Sequence, residues 1–157
     1  MVGVVAVDDP RRDDVRALLE RHLAFANDHS PPEDVHALDV DALAAPSITF
    51  VSYRDDGELL GVGALQDLGG ERGELKSMHT AEHARGRGVG AAVLDHLVEL
   101  ARARGLARLS LETGTPDAFA AARALYTRRG FVECGPFGDY APSGYSTFFT
   151  LELGRPA

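Results

Sequence analysis

The chain has one cysteine and one lysine, and no apolar run approaches the roughly 18 residues that a membrane span requires. A lone cysteine, Cys134, allows no intrachain disulfide and no cysteine-built metal cluster, and is expected to act as a small buried hydrophobe. Met1 to Asp9 lacks the basic start and long apolar core of a signal peptide, so a cytoplasmic location and no membrane partner are expected. Basic residues are outnumbered, 16 Lys and Arg against 24 Asp and Glu, for a net charge of −8. That leaves no basic stripe for nucleic acid. The acidity serves solubility, and it mildly favours attraction of a cationic amine. Repeats, linkers and low-complexity stretches are also missing. Residues 1–157 suit one domain, long enough to bury roughly two-thirds of its unfolded surface. Neither of two common phosphate motifs is present: Gly86, Gly88 and Gly90 do not make G-x-G-x-x-G, and no Lys-Ser or Lys-Thr completes a P-loop.

What the chain does have is punctuation. Val4–Val7 reads as a strand. Asp8, Asp9 and Pro10 open a helix with Val15, Leu18, Leu19, His22, Leu23 and Phe25 on one face. Pro31-Pro32 breaks it, and Glu33 to about Leu43 makes a second helix. Ile48–Tyr53 and Leu59–Gln66 pair around a polar turn, Arg54–Glu58, that contains Asp56-Gly57. Gly73–Thr80 is a further strand. Val89, Val93, Leu94, Leu97, Val98 and Leu100 then recur at helical spacing to about Arg104, with Gly105 as the stop. Ala107–Glu112 alternates as a half-buried strand. After the helix that carries Tyr126, Phe131–Glu133 continues the sheet, Gly135–Gly144 is a loop and Tyr145–Leu153 a last strand.

Between the strand ending at Thr80 and the helix from Val89 lies Arg85-Gly86-Arg87-Gly88-Val89-Gly90. A strand, a glycine-rich turn and a helix N-terminus form an anion site. The first-turn amides are unpaired and converge with the positive end of the helix dipole, and glycines remove the Cβ atoms that would hold a phosphate off. The spacing fills R/Q-x-x-G-x-G/A with Arg85, Gly88 and Gly90. Downstream, Ala122-Arg123-Ala124-Leu125-Tyr126-Thr127-Arg128-Arg129-Gly130-Phe131 fits A-x-x-L-Y-x-x-x-G-F. Together these resemble motifs A and B of the GNAT superfamily of acetyl-CoA-dependent N-acetyltransferases. Ser30–Glu33, Val35–Leu38, Gly73–Met78, Ser110–Gly114 and Pro136–Tyr140 further resemble its bacterial YsnE-like branch, over nearly the whole chain.

The resemblance implies an α/β fold with a mixed, mainly antiparallel central sheet, helices on both faces, and a splay between the fourth and fifth strands. It implies that backbone groups of Met78, His79 and Thr80 pair with the pantetheine amides of acetyl-CoA, and that one N–H faces the thioester carbonyl. Amides from Arg85 through Gly86, Arg87, Gly88, Val89 and Gly90 to Ala91 would hold the pyrophosphate, with the Arg85 and Arg87 side chains either adding charge or lying in solvent. Two departures stand out. Glu82 replaces the usual proline before motif A, so a less rigid approach to the loop is expected. Phe119 replaces the asparagine that opens motif B, which removes a pantetheine-contacting amide and leaves a ring able to pack on the arm.

Direct acetyl transfer to an amine calls for an acid at the departing thiolate and a base at the ammonium. Tyr126 is the expected acid. Glu112 and Glu74 are both candidates for the base, with structural carboxylates as the alternative, Glu74 then pairing with Lys76. His36 in the N-terminal helical segment, and Asp139 and Tyr140 in the late loop, are candidates to line the acceptor site. Pro31-Pro32 separates His22 and His29 from His36, so their spacing does not suggest a metal. A small-molecule amine is the expected acceptor, with a peptide or protein amine, or a non-catalytic acyl-CoA sensor, as alternatives; a homodimer is left open.

Overall fold

The computed structural model of the protein describes residues 3–29, 40–138 and 140–154. His36 and Asp139 lie outside the described residues, as does the proposed second helix before Val40. Strands β1 (Val4–Val7), β2 (Ile48–Asp55), β3 (Glu58–Gly69), β4 (Arg72–Thr80), β5 (Arg108–Gly114), β6 (Val132–Cys134) and β7 (Ser146–Glu152) form one sheet in the order β1-β2-β3-β4-β5-β7-β6. Among the described strands only β4 and β5 run parallel, joined by helix α3 (Val89–Ala103); the other pairings are antiparallel. Helices α1 (Asp13–His29), α2 (Val40–Leu43) and α4 (Ala120–Arg128) complete the described fold. Among the described residues, no helix is long and apolar enough to cross a membrane.

The β2–β3 turn is tighter than the sequence suggests. β2 runs on to Asp55, which pairs with Glu58, and the two residues between carry φ values of 50° (Asp56) and 82° (Gly57), both in the left-handed region that a two-residue hairpin requires. The first helix begins at Asp13 rather than at Asp8. Asp8 instead accepts bonds from Ser52 and Arg54, and Arg54 holds Asp14 at 2.7 and 3.1 Å, which pins the start of α1 to β2. The apolar stripe of α1 is also narrower than its pattern. Val15, Leu18 and Leu19 enter the core, whereas Leu23 is 41% exposed.

Two features of β4 shape everything that follows. Its ladder with β5 ends at Leu75↔Leu111, while β5 stays paired to β7 as far as Gly114↔Ser146. The two strands therefore part between Lys76 and Glu112. In addition, Val62 pairs with His79 and Ala64 with Lys76, so three β3 residues span four on β4. This bulge has Ser77 at φ 56°, a left-handed conformation that only a surrounding fold holds in place. Strict alternation would put Glu74, Lys76, Met78 and Thr80 on one face. The bulge breaks it: Glu74 and Lys76 share a face with His79, which meets α1, while Met78 turns toward α3. Met78 Sδ and the α3 side chain of Val93 crowd the space over Gly63; a Cβ there would lie 2.6 and 2.8 Å from them, so glycine is what lets β3 and α3 approach.

Candidate active site

A cleft of about 490 Å³ opens where β4 and β5 part. At one end is the glycine-rich loop. After Thr80 the chain makes a 3₁₀ turn over Glu82–Ala84, with Ala81 N–H bonded to Leu60 O at 2.8 Å and Ala84 buried. The approach expected to be looser without a proline is thus tied to β3. Gly86 (φ 78°) and Gly88 (φ 82°) then reverse the chain, and Gly88 caps α3 with no side-chain bond to its first-turn amides. Those amides face a volume lined by Gly86, Gly88, Gly90 and Ala91. Arg85 also lines the cleft, its guanidinium 5.6 Å over the Phe25 ring. Arg87 is exposed, and its side chain does not line the cleft.

Along the middle run the free edge of β4, from Ser77 through Met78 and His79 to Thr80, and the first turns of α4. Phe119 packs on Gly114 so closely that a Cβ there would lie 2.3 Å from its ring, and it meets Phe25 of α1 edge-on at 5.3 Å. Tyr126 is the buried residue of α4 and leans on Phe131 and Phe149 while reaching the cleft. Burial, then the nearby charge of Glu112, raises its phenol above the ordinary value. It therefore holds its proton at neutral pH.

At the far end Glu74, Lys76 and Tyr140 form one cluster. The Tyr140 hydroxyl donates to Glu74 Oε2 at 2.6 Å, Lys76 Nζ lies 3.1 Å from the same oxygen, and Nζ stands 5.8 Å over the Tyr140 ring. Burial first, then the charge of Glu74 and the bond to it, raise the Tyr140 phenol. Glu112 sits at the parting of the strands, with its charge felt by both tyrosines. The fold thus brings Tyr126, Glu112, Glu74, Tyr140, Phe119 and the β4 edge into one cleft with the loop glycines.

The cleft also holds a pair that sequence reasoning missed. His22 on α1 and His79 on β4 face each other with Nδ1 atoms 3.2 Å apart. Burial lowers His22 to about 4. Burial, then His22, Arg85 and Arg21, lower His79 to about 3. The available signal was the continuation of the α1 stripe from His22 to Phe25, Ala26 and His29 at helical spacing, which the pattern of Val15, Leu18, Leu19, His22, Leu23 and Phe25 does not separate from the core.

These shifts predict acid sensitivity. Each folded value lies below the unfolded value of 6.5, so below pH 6.5 the unfolded chain binds protons that the folded chain refuses. Stability is fully present above pH 6.5 and falls as pH drops toward 4, by at most about 1.4 kcal/mol per pH unit for each histidine. Thermal melts between pH 6.5 and 5 should show a falling midpoint, and the His22→Gln, His79→Gln double variant a flatter one. A wild-type midpoint constant across that window would refute the depressed titration.

The model of the acetyltransferase (GNAT) family matches residues 13–131. The chain belongs to that family. It is 44% identical over 149 residues to the uncharacterized N-acetyltransferase YedL of Escherichia coli (strain K12), covering 95% of this chain and 94% of YedL. It is 45% identical over 150 residues to the uncharacterized N-acetyltransferase YsnE of Bacillus subtilis (strain 168), covering 95% and 99%. A solved structure from Klebsiella pneumoniae subsp. pneumoniae MGH 78578, described as an acyl-CoA N-acyltransferase, superposes with a TM-score of 0.80 at 27% identity, covering 97% of this chain and 98% of that one. The mixed sheet with its parallel β4–β5 pair is the fold expected of this GNAT protein, and the YsnE-like resemblance extends along its length.

Proposed function

We propose that this GNAT protein transfers the acetyl group of acetyl-CoA to the amine of a small molecule within the β4–β5 cleft. The observation that carries the reading is the alignment of three parts along one cleft: a glycine loop at a helix N-terminus, a protonated buried tyrosine, and a carboxylate pair beyond it. The residues suit the cosubstrate. Gly86 and Gly88 have no atom within 4 Å of where a Cβ would stand, so the α3 amides are open to a pyrophosphate. The β4 edge past Leu75 has lost its β5 partner, leaving backbone groups for the pantetheine amides.

When bound, the thioester supplies the activated acetyl carbon. Backbone N–H groups of β4 near Met78 and His79 polarise its carbonyl, the type of interaction whose loss costs about 10²-fold or more in rate. The amine nitrogen forms the new C–N bond as the C–S bond breaks. Tyr126 gives its phenolic proton to the departing sulfur and regains one from solvent, while the nitrogen that has formed the C–N bond sheds its second proton to water. Glu112 takes the proton from the ammonium, directly or through water. Glu74 is the alternative base; its Oε2 serves Lys76 and Tyr140, and it holds Tyr140 as a wall of the acceptor end.

The test is free-thiol release from acetyl-CoA against a panel of small amines, amino acids and short peptides. Acceptor-dependent release with small amines supports the proposal. Release with peptides alone favours a peptide acetyltransferase, and tight acetyl-CoA binding without release across the panel favours a sensor.

A further inference from the structure

The pantetheine arm of acetyl-CoA carries two amides, and each needs partners once water is excluded from a cleft. On the α1 and α4 sides, the middle of the cleft is walled by Phe25, Phe119, Ala122 and Leu125, which offer no side-chain hydrogen bond. His22 and His79 stand in that same stretch. Phe25 lies 6.3 Å from His79 and 5.3 Å from Phe119 between ring centroids. Their mutual geometry dictates what they present. With Nδ1 atoms 3.2 Å apart, one ring carries the Nδ1 hydrogen and donates, and the other accepts. The donating ring then has a bare Nε2, and the accepting ring has an Nε2–H. A neutral histidine pair held this way offers one acceptor and one donor, so it can serve either the N–H or the C=O of an amide.

We propose that the His22–His79 pair is a side-chain binding site for a pantetheine amide of acyl-CoA, contributed jointly by α1 and β4. The inference rests on the acyl-CoA reading above. A neutral pair is what the surroundings favour. Arg85 and Arg21 both act on His79 to oppose a positive charge, and burial opposes it on both rings. The pair also accounts for the site of Phe119. With the hydrogen bonds supplied by α1 and β4, a ring rather than a polar side chain closes the α4 wall against Gly114.

The experiment is calorimetric titration of wild type and of His22→Leu, His79→Leu, His22→Gln and His79→Gln with two ligands. CoA carries the arm; 3′-phospho-ADP keeps the pyrophosphate and lacks it. The leucine variants should weaken CoA by about tenfold, the worth of a buried hydrogen bond and its stranded partner, while 3′-phospho-ADP binds within about twofold of wild type. Glutamine, whose carboxamide reaches about as far as Nε2, should restore most of the loss. CoA and 3′-phospho-ADP weakening in parallel would overturn the proposal by making the pair a structural strut. So would leucine variants that bind CoA as wild type does. Melting curves identify any variant that fails to fold, and the glutamine pair then decides the matter through the same ratio. Wild-type protein that binds neither ligand would refute the acyl-CoA reading itself.

Discussion

Tyr126→Phe is expected to lower acceptor-dependent thiol release by about 10²-fold or more, the usual worth of a positioned general acid. The variant removes one oxygen and little else. Its ring keeps its places at 5.9 Å from Phe131 and 6.3 Å from Phe149, so the fold and the cleft wall persist. The loss should therefore appear in turnover rather than in the melting temperature. Burial and the charge of Glu112 both raise the phenol above 10.0, so its proton stays in place through the alkaline range where an ordinary tyrosine begins to ionise. No alkaline decline in rate from this group is expected below about pH 10. A Tyr126→Phe rate within threefold of wild type would remove the tyrosine from the chemistry.

Gly88→Val is expected to weaken acetyl-CoA by about 10²-fold or more, from the loss of two charge-assisted amide bonds at about 1.5–3 kcal/mol each. Gly88 holds φ at 82° as the residue that starts α3, a conformation a β-branched side chain resists. The space around it is open, with nothing within 4 Å of a built Cβ, so the cost comes from the backbone alone. Relieving that strain turns the loop and moves the first amides of α3 off the pyrophosphate. Gly105→Val is the matched control. Gly105 has φ 74° and equally open space, but it follows the other end of α3. Both variants should melt earlier, and only Gly88→Val should lose acetyl-CoA by isothermal titration. Equal affinity in the two would mean that the loop does not hold the phosphates.

Most of the fold was legible because most of it is local. The α3 helix, its glycine stop at Gly105, the β2–β3 hairpin around Asp56-Gly57 and the glycine-rich turn before α3 are written within a few residues each, in period, glycine placement and turn chemistry. The element order follows from them, and the two motifs around Gly88 and Tyr126 place the chain in its family. The carboxylates and tyrosines of the cleft were also named from the sequence. Lys76 was also named as a partner for Glu74, and it stands 3.1 Å from Oε2; Tyr140 as a second partner was not. Glu74 and Tyr140 are 66 residues apart and meet only because the late loop folds back over β4.

What the tertiary structure decided are the points where a local rule was overridden. One extra residue in β4 leaves no trace in composition, since nothing about Ser77 announces a φ of 56°. Yet that bulge reverses which face Met78 and Thr80 occupy and turns His79 toward α1. The stripe on α1 has the period of a buried face, but the core ends at Leu19, and beyond it His22 and Phe25 look into the cleft while Leu23 faces solvent. Sequence period states that a face is buried somewhere; where the core stops and a cleft begins depends on strands β4 and β5 ceasing to pair. By itself, then, the sequence determined the family, the order of elements and the glycine-rich turn at the start of α3. The pairing of His22 with His79, the bond from Tyr140 to Glu74 and the parting of β4 from β5 arise from long-range contacts, which no local pattern encodes.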